Sequence, residues 1–257
     1  MARVLLLGGL DPSGGAGVTL DATVAAVLGA EPLPVALATT IQGLRGFVRS
    51  CPLDPDVVRE QVATVLADAP IQAVKLGYLG SPRAAMLVAE MLLPLRDAVA
   101  IVVDPVLSAT AGGLAHDAEL VAAYREHLLP MATIVTPNTP ELEALAGGDA
   151  AALLELGAEA VLHKGGHGEG ADSVDALWTR ELGSGESPYR FVRERLGCGP
   201  VRGTGCALAS AIAAHLACRH GPLEACRKAG DWLHALLARV TPRPSGLPRH
   251  LPLGPRR

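Results

Sequence analysis

Apolar runs alternate with stretches of helical periodicity along almost the whole chain. Short continuous apolar runs read as buried strands at residues 4–7, 34–39, 73–76, 99–103, 133–135 and 160–163. Between them, helices are predicted near residues 16–28, 54–66, 82–93, 117–128 and 140–146. Strands that alternate with helices imply right-handed crossovers and a mainly parallel sheet covered on both faces. The runs at 174–179 and 189–193 lie closer together around Gly183 and Gly185 and read as an antiparallel hairpin at a sheet edge. Two helices, roughly 204–217 and 222–240, close the pattern, and the proline-rich tail from Thr241 is expected along the surface. No internal repeat or dividing linker is visible, so residues 1–257 are expected to form one domain, with 241–257 as its tail.

Composition narrows the function class. Hydrophobic residues make up 49% of the 257 and aromatics 3%, so the core must be built from Ala, Leu and Val. A formal charge of −4, with no basic run beyond Arg256-Arg257, argues against nucleic acid as a partner. No stretch approaches the ~20 apolar residues of a membrane span. The apolar start at Val4-Leu5-Leu6-Leu7 ends at Gly8-Gly9 and Asp11 with no cleavage pattern, so a buried first strand is the expectation. Five cysteines, scattered and without a Cys-x-x-Cys pair, indicate neither a zinc site nor a disulfide framework and point to the cytoplasm. His163 and His167 are four apart but flank Lys164-Gly165-Gly166, which is poor zinc-ligand spacing.

Candidate chemistry gathers at the carboxyl ends of the predicted strands, where open α/β sheets bind ligands. Gly203-Thr204-Gly205-Cys206 breaks into a small-residue helix. Its turn and helix N-terminus suit an anion, and a cysteine there has its thiolate favoured by the same field. A plain loop, a packed helix and a structural cysteine explain the segment equally well. The first strand runs into Gly8-Gly9-Leu10-Asp11-Pro12-Ser13-Gly14-Gly15-Ala16-Gly17, with Asp21 a turn into the helix, and matches neither a P-loop nor a dinucleotide fingerprint. Asp104-Pro105-Val106 places a carboxylate at a strand end, suited to Mg²⁺ or a γ-phosphate, or simply to a turn. Asn138-Thr139-Pro140-Glu141 is complete helix-start chemistry, and its Asn and Glu also suit a water-ligated Mg²⁺. Lys164-Gly165-Gly166-His167 adds a cation and bare backbone at the next strand end.

Taken together, these motifs resemble, in order, those of the hydroxymethylpyrimidine/phosphomethylpyrimidine kinases of the ribokinase-like superfamily. Val74-Lys75-Leu76-Gly77 belongs to the same set, and the resemblance runs from about Val4 to Trp232. It implies a three-layer α-β-α fold with a mainly parallel sheet. It also implies transfer of phosphate from Mg-ATP to 4-amino-5-hydroxymethyl-2-methylpyrimidine and then to its monophosphate. Asp21 and Gln42 match the positions that hold the pyrimidine, with Gly9 and Tyr78 lining the same pocket. Cys206 falls where the family has its base, and Gly203, Thr204 and Gly205 would form the anion hole. Asp104, Asn138, Glu141 and Lys164 would serve the nucleotide, with Asp104 and Glu141 at Mg²⁺. A homodimer is the expected assembly.

The chain departs from the family's pattern at several places. Gly43-Leu44 replaces a common Asn-Thr after Gln42, Tyr78 stands where Met is common, and Pro200-Val201 replaces another Asn-Thr. Arg202 replaces the usual His, either to meet nucleotide phosphates or to point to solvent. Competing readings are a pyridoxal or pyridoxine kinase of the same superfamily and a non-catalytic pyrimidine-binding module. A dinucleotide oxidoreductase lacks its Gly-x-Gly-x-x-Gly signature here.

Overall fold

A computed structural model describes residues 1–107, 117–166, 170–182, 186–242 and 245–254. Its elements run β1 (Arg3–Leu10), α1 (Gly17–Val27), β2 (Glu31–Gly43), β3 (Gly46–Pro52), α2 (Pro55–Asp68), β4 (Ala73–Leu76) and α3 (Pro82–Leu92). They continue with β5 (Ala100–Val103), α4 (Ala118–Ala123), β6 (Ile134–Val135), α5 (Thr139–Ala146), α6 (Ala150–Glu155) and β7 (Ala160–His163). The chain ends with β8 (Asp172–Thr179), β9 (Tyr189–Glu194), α7 (Thr204–Ala217) and α8 (Pro222–Leu237). All nine strands join one sheet in the order β3-β2-β1-β4-β5-β6-β7-β8-β9.

From β2 to β7 neighbouring strands are parallel, while β3, β8 and β9 add antiparallel edges. Strand alternation sends Leu5, Leu7, Val74, Leu76, Ile101 and Val103 to one face, under α2 to α6. Val4, Leu6, Ala73, Val102, Ile134 and Leu162 go to the other, under α1, α7 and α8. The result is a three-layer α-β-α architecture. The chain turns outward from β1 to β2 and β3, then returns to β4 on β1's other side. That reversal leaves a crevice between the carboxyl ends of β1 and β4, the usual ligand position in such sheets. Ala207, Ala209, Ala211 and Ala213 keep α7 thin enough to cross β1, β4 and β5 closely, so its N-terminus arrives at the crevice.

The predicted elements recur, although β2 runs from Glu31 to Gly43 beyond its expected 34–39 and four further differences stand out. The edge strand β3 was not expected, because Val48 is 72% exposed and neither face carries an apolar alternation. Helix α6 was not expected either; it is six residues long and rests on an Asp149 cap to the Ala151 N–H at 2.8 Å. The helix expected to run to residue 128 is α-helical only to Ala123, then widens over Tyr124–Leu128 and tightens at Leu129–Met131, where Pro130 lacks an N–H. The last helix stops at Leu237, short of residue 240. Gly183 and Gly185, expected at the β8–β9 turn, lie outside the described residues, but the strands pair antiparallel as anticipated. The tail is pinned more firmly than a surface tail requires. Arg249 exchanges backbone hydrogen bonds with Pro200 and Arg202, and Leu251 is buried.

Candidate active site

Helix α7 begins at a glycine that no other residue can replace without strain. Gly203 has φ of +74°, and a Cβ there would lie 2.2 Å from the Gly15 carbonyl oxygen. The turn therefore presses on the loop after β1. The first N–H groups of α7, from Thr204, Gly205 and Cys206, have no partner within the helix and carry its positive end. Gly203, Thr204, Gly205 and Cys206 thus stand together at the switch point, in the turn and helix start expected to form an anion cradle.

Lys164 sits beside that cradle. Its Nζ donates to Asp104 Oδ1 at 2.8 Å and lies 3.7 Å from Glu141 Oε2. A side chain at residue 205 would approach the same Nζ at 3.3 Å, so the ammonium lies over Gly205. Asp104 directly follows β5, is buried, and also accepts from Thr136 Oγ1 at 3.2 Å. Burial pushes its carboxyl up, but Lys164 and the more distant Lys75 outweigh this and hold it below the usual range. Burial pulls the Lys164 ammonium down, and the two acids more than reverse this and raise it above its ordinary value. Glu141 is pushed up to about 7 by burial, which Lys164 opposes and Asp104 reinforces. Asn138 and Glu141 form a reciprocal capping box at the start of α5, with bonds of 2.8 and 2.9 Å. The helix-start reading therefore holds for both residues, and Glu141 still turns its Oε2 to Lys164.

Deeper in the crevice lies a charge pair that the sequence reading did not assign. Lys75, on β4, donates to Asp21 Oδ2 at 2.7 Å, and both side chains are 0% exposed. The other carboxylate oxygen accepts from Ser210 of α7 at 2.8 Å. Asp21 therefore has neither surface nor an uncommitted oxygen to offer a ligand. Its expected grip on the pyrimidine is corrected to a supporting role: it holds Lys75 charged against burial. A lysine inside the apolar run Ala73-Val74-Lys75-Leu76 was the available signal, since a buried ammonium requires a partner.

The thiol of Cys206 is the second correction. A thiolate favoured by the helix N-terminus was expected, but burial pushes this thiol up to about 11. Lys75 and the Gly17 N–H pull it down, while Asp21 and Asp104 push it up.

On the β2 side, Gln42 Oε1 accepts from Arg202 Nη2 at 2.8 Å. The same guanidinium donates to the Gly43 carbonyl and lies 3.4 Å from Asp11 Oδ2. Arg202 is thus held on several sides rather than free in solvent, and it ties the turn before α7 to β2 and to the loop after β1. Tyr78 packs over Gly9, where a Cβ would meet its ring at 3.0 Å. Its hydroxyl donates to Ser50 Oγ at 2.9 Å, and Phe47 meets the ring edge-on. Gly9 and Tyr78 therefore share one wall of the crevice. His163 pairs with Thr139 at 3.0 Å, and His167 lies outside the described residues. A surface groove of about 600 Å³ between α2 and α3 shares no residue with this cluster.

Comparison with known proteins bears on the reading. Residues 11–246 match the family model described as phosphomethylpyrimidine kinase. The chain is 37% identical over 250 residues to the hydroxymethylpyrimidine/phosphomethylpyrimidine kinase of Salmonella typhimurium, covering 93% of this chain and 91% of that one. It is 36% identical to the thiamine biosynthesis bifunctional protein ThiED of Geobacter sulfurreducens, of which it spans only 50%. Among solved structures, the phosphomethylpyrimidine kinase of Clostridium difficile superposes with a TM-score of 0.77 at 28% identity, over 91% of this chain and 99% of that one. An ADP complex of Bacillus subtilis pyridoxal kinase superposes with a TM-score of 0.86 at 25% identity, over 98% and 97% of the two chains.

Proposed function

The chain belongs to the phosphomethylpyrimidine kinase family, and from that membership we propose how its residues divide the reaction. The protein is an ATP-dependent kinase of thiamine biosynthesis that acts on hydroxymethylpyrimidine and its monophosphate. One observation carries the assignment of roles. Lys164 stands between Asp104 and Glu141 and directly over Gly205, so a cation, two acids and the turn of α7 converge from several strand ends.

The γ-phosphoryl group sits at the N–H groups of Thr204, Gly205 and Cys206, with Lys164 beside it. These groups meet charge on the transferring oxygens, the main demand of a loose phosphoryl transfer. The hydroxymethyl oxygen forms the new bond to phosphorus while the bond to ADP breaks. Its proton passes to Cys206 Sγ, which must first be ionised. Lys75 beneath the thiol lowers the cost of that thiolate, and Asp21 with Ser210 keeps Lys75 in place.

Two carboxylates stand against one ammonium in the Asp104–Lys164–Glu141 group, which carries up to one net negative charge when both are ionised. That donor set fits a magnesium ion held through its waters by Asp104 and Glu141. When bound, Mg²⁺ neutralises charge on the ATP phosphates. Gln42, Gly9 and Tyr78 form the pyrimidine side. The five cysteines are unpaired, which supports a cytoplasmic enzyme, and a homodimer is the assembly that the family resemblance implies.

A coupled assay of ADP release tests the function with three acceptors: the pyrimidine alcohol, its monophosphate and pyridoxal. Turnover of both pyrimidines is expected. Turnover of pyridoxal alone would favour the second reading, to which the 0.86 superposition on a pyridoxal kinase lends support.

A further inference from the structure

Arg202 carries chemistry that the phosphoryl-transfer account does not use. A guanidinium offers donors only. The Gln42 atom that faces it at 2.8 Å is therefore the amide oxygen, and the Nε2 hydrogens are turned the other way. Among the described residues, no protein group takes up those hydrogens. Gln42 lies at the carboxyl end of β2, next to the end of β1 and the wall formed by Gly9 and Tyr78. Arg202 is itself held on several sides. Its guanidinium also meets the Gly43 carbonyl and buried Asp11, whose Oδ1 caps the Ser13 N–H at 2.8 Å. Its backbone N–H donates to Arg249 of the tail at 2.9 Å. The next residue is Gly203, which opens the anion cradle.

We infer that Arg202 is a positioning residue that sets substrate specificity by locking the Gln42 amide with its NH₂ group toward the acceptor pocket. The preferred substrate is then a heteroaromatic alcohol that presents a hydrogen-bond acceptor, such as a ring nitrogen, to the end of β2. A ring edge carrying only donors is disfavoured, because flipping the amide would set its NH₂ against the N–H donors of the guanidinium. The same side chain keeps that edge in register with the cradle, since one residue separates the clamp from the phosphoryl site. This inference rests on the reading that Gln42 faces the pyrimidine.

A double-mutant cycle tests it, with Arg202→Ala, Gln42→Ala and the double variant assayed on the pyrimidine alcohol. Arg202→Ala should raise the KM for the alcohol about tenfold, the scale of one hydrogen bond, and leave the KM for ATP unchanged. In the Gln42→Ala background the same change should move the alcohol KM less than about twofold. Arg202→Lys keeps a donor-only group and should recover most of the affinity, which also covers the case in which Arg202→Ala fails to fold. Equal effects of Arg202→Ala in both backgrounds would overturn the inference and leave Arg202 as a loop clamp. So would a rise in the KM for ATP, or no recovery with lysine. A wild-type protein inactive on the alcohol would instead refute the pyrimidine reading on which this inference rests.

Discussion

Replacing Lys75 with Met tests whether the ion pair beneath the site is a structural necessity. Lys75 and Asp21 are both 0% exposed and 2.7 Å apart, so removing the ammonium leaves a buried carboxylate with only Ser210 as donor. Breaking a buried pair from one side costs about 3–5 kcal/mol. That is a large share of the ~5–15 kcal/mol that holds an ordinary domain together. Urea denaturation followed by circular dichroism measures the loss, read from the midpoint at constant slope. Asp21→Asn combined with Lys75→Met should regain at least half of it, because a neutral pair no longer carries an uncompensated charge. The pH dependence has a definite sign. Burial already raises Asp21 above 3.8, and without Lys75 it rises further. Such a group is most compatible with the fold below its unfolded value and loses that contribution as pH rises, so the deficit of Lys75→Met should shrink toward pH 4. A loss under about 1 kcal/mol, or a double variant as unstable as the single, would refute the reasoning.

Three further outcomes follow from the same geometry. Lys164→Met should lower kcat by about 10²–10³-fold, as loss of a transition-state charge partner does, measured by ADP release at saturating ATP. Tyr78→Met removes the bond to Ser50 and should shift the ratio of pyrimidine to pyridoxal turnover without abolishing either, read by parallel assays. For the wild type on the alcohol, kcat should rise with pH by up to about tenfold per unit from neutrality toward the Cys206 value of about 11, until another step limits it; a stopped assay from pH 6.5 to 9.5 follows this.

Much of this fold is legible from apolar periodicity. The central strands are continuous apolar runs, because they are covered on both faces, and β4 and β7 fall on the expected residues. Elements that lie at an edge or depend on a single cap, β3 and α6, carry too little apolar pattern to be read. The strand-end motifs located Lys164, Asp104, Glu141 and the glycine turn. Which side chain faces which is a tertiary matter. Asp21 looked like a ligand group because its partners, Lys75 and Ser210, lie 54 and 189 residues away. Arg202 looked uncommitted for the same reason, with Gln42 160 residues distant. The state of Cys206 depends on burial near two acids, which a helix N-terminus alone does not reveal.

The proton-acceptor role of Cys206 is tested most directly by comparing the two phosphorylation steps in Cys206→Ala. The alcohol must lose a proton as its oxygen bonds to phosphorus. The monophosphate attacks through an oxygen that is already largely ionised at pH 7, since its second pKa is about 6. Removing the thiol should therefore lower kcat on the alcohol by about 10²-fold or more, while kcat on the monophosphate falls less than about tenfold. Cys218→Ala, at an exposed thiol remote from the cradle, should leave both steps near wild type. Equal losses on the two acceptors in Cys206→Ala would contradict the account and leave that residue as a wall of the anion cradle.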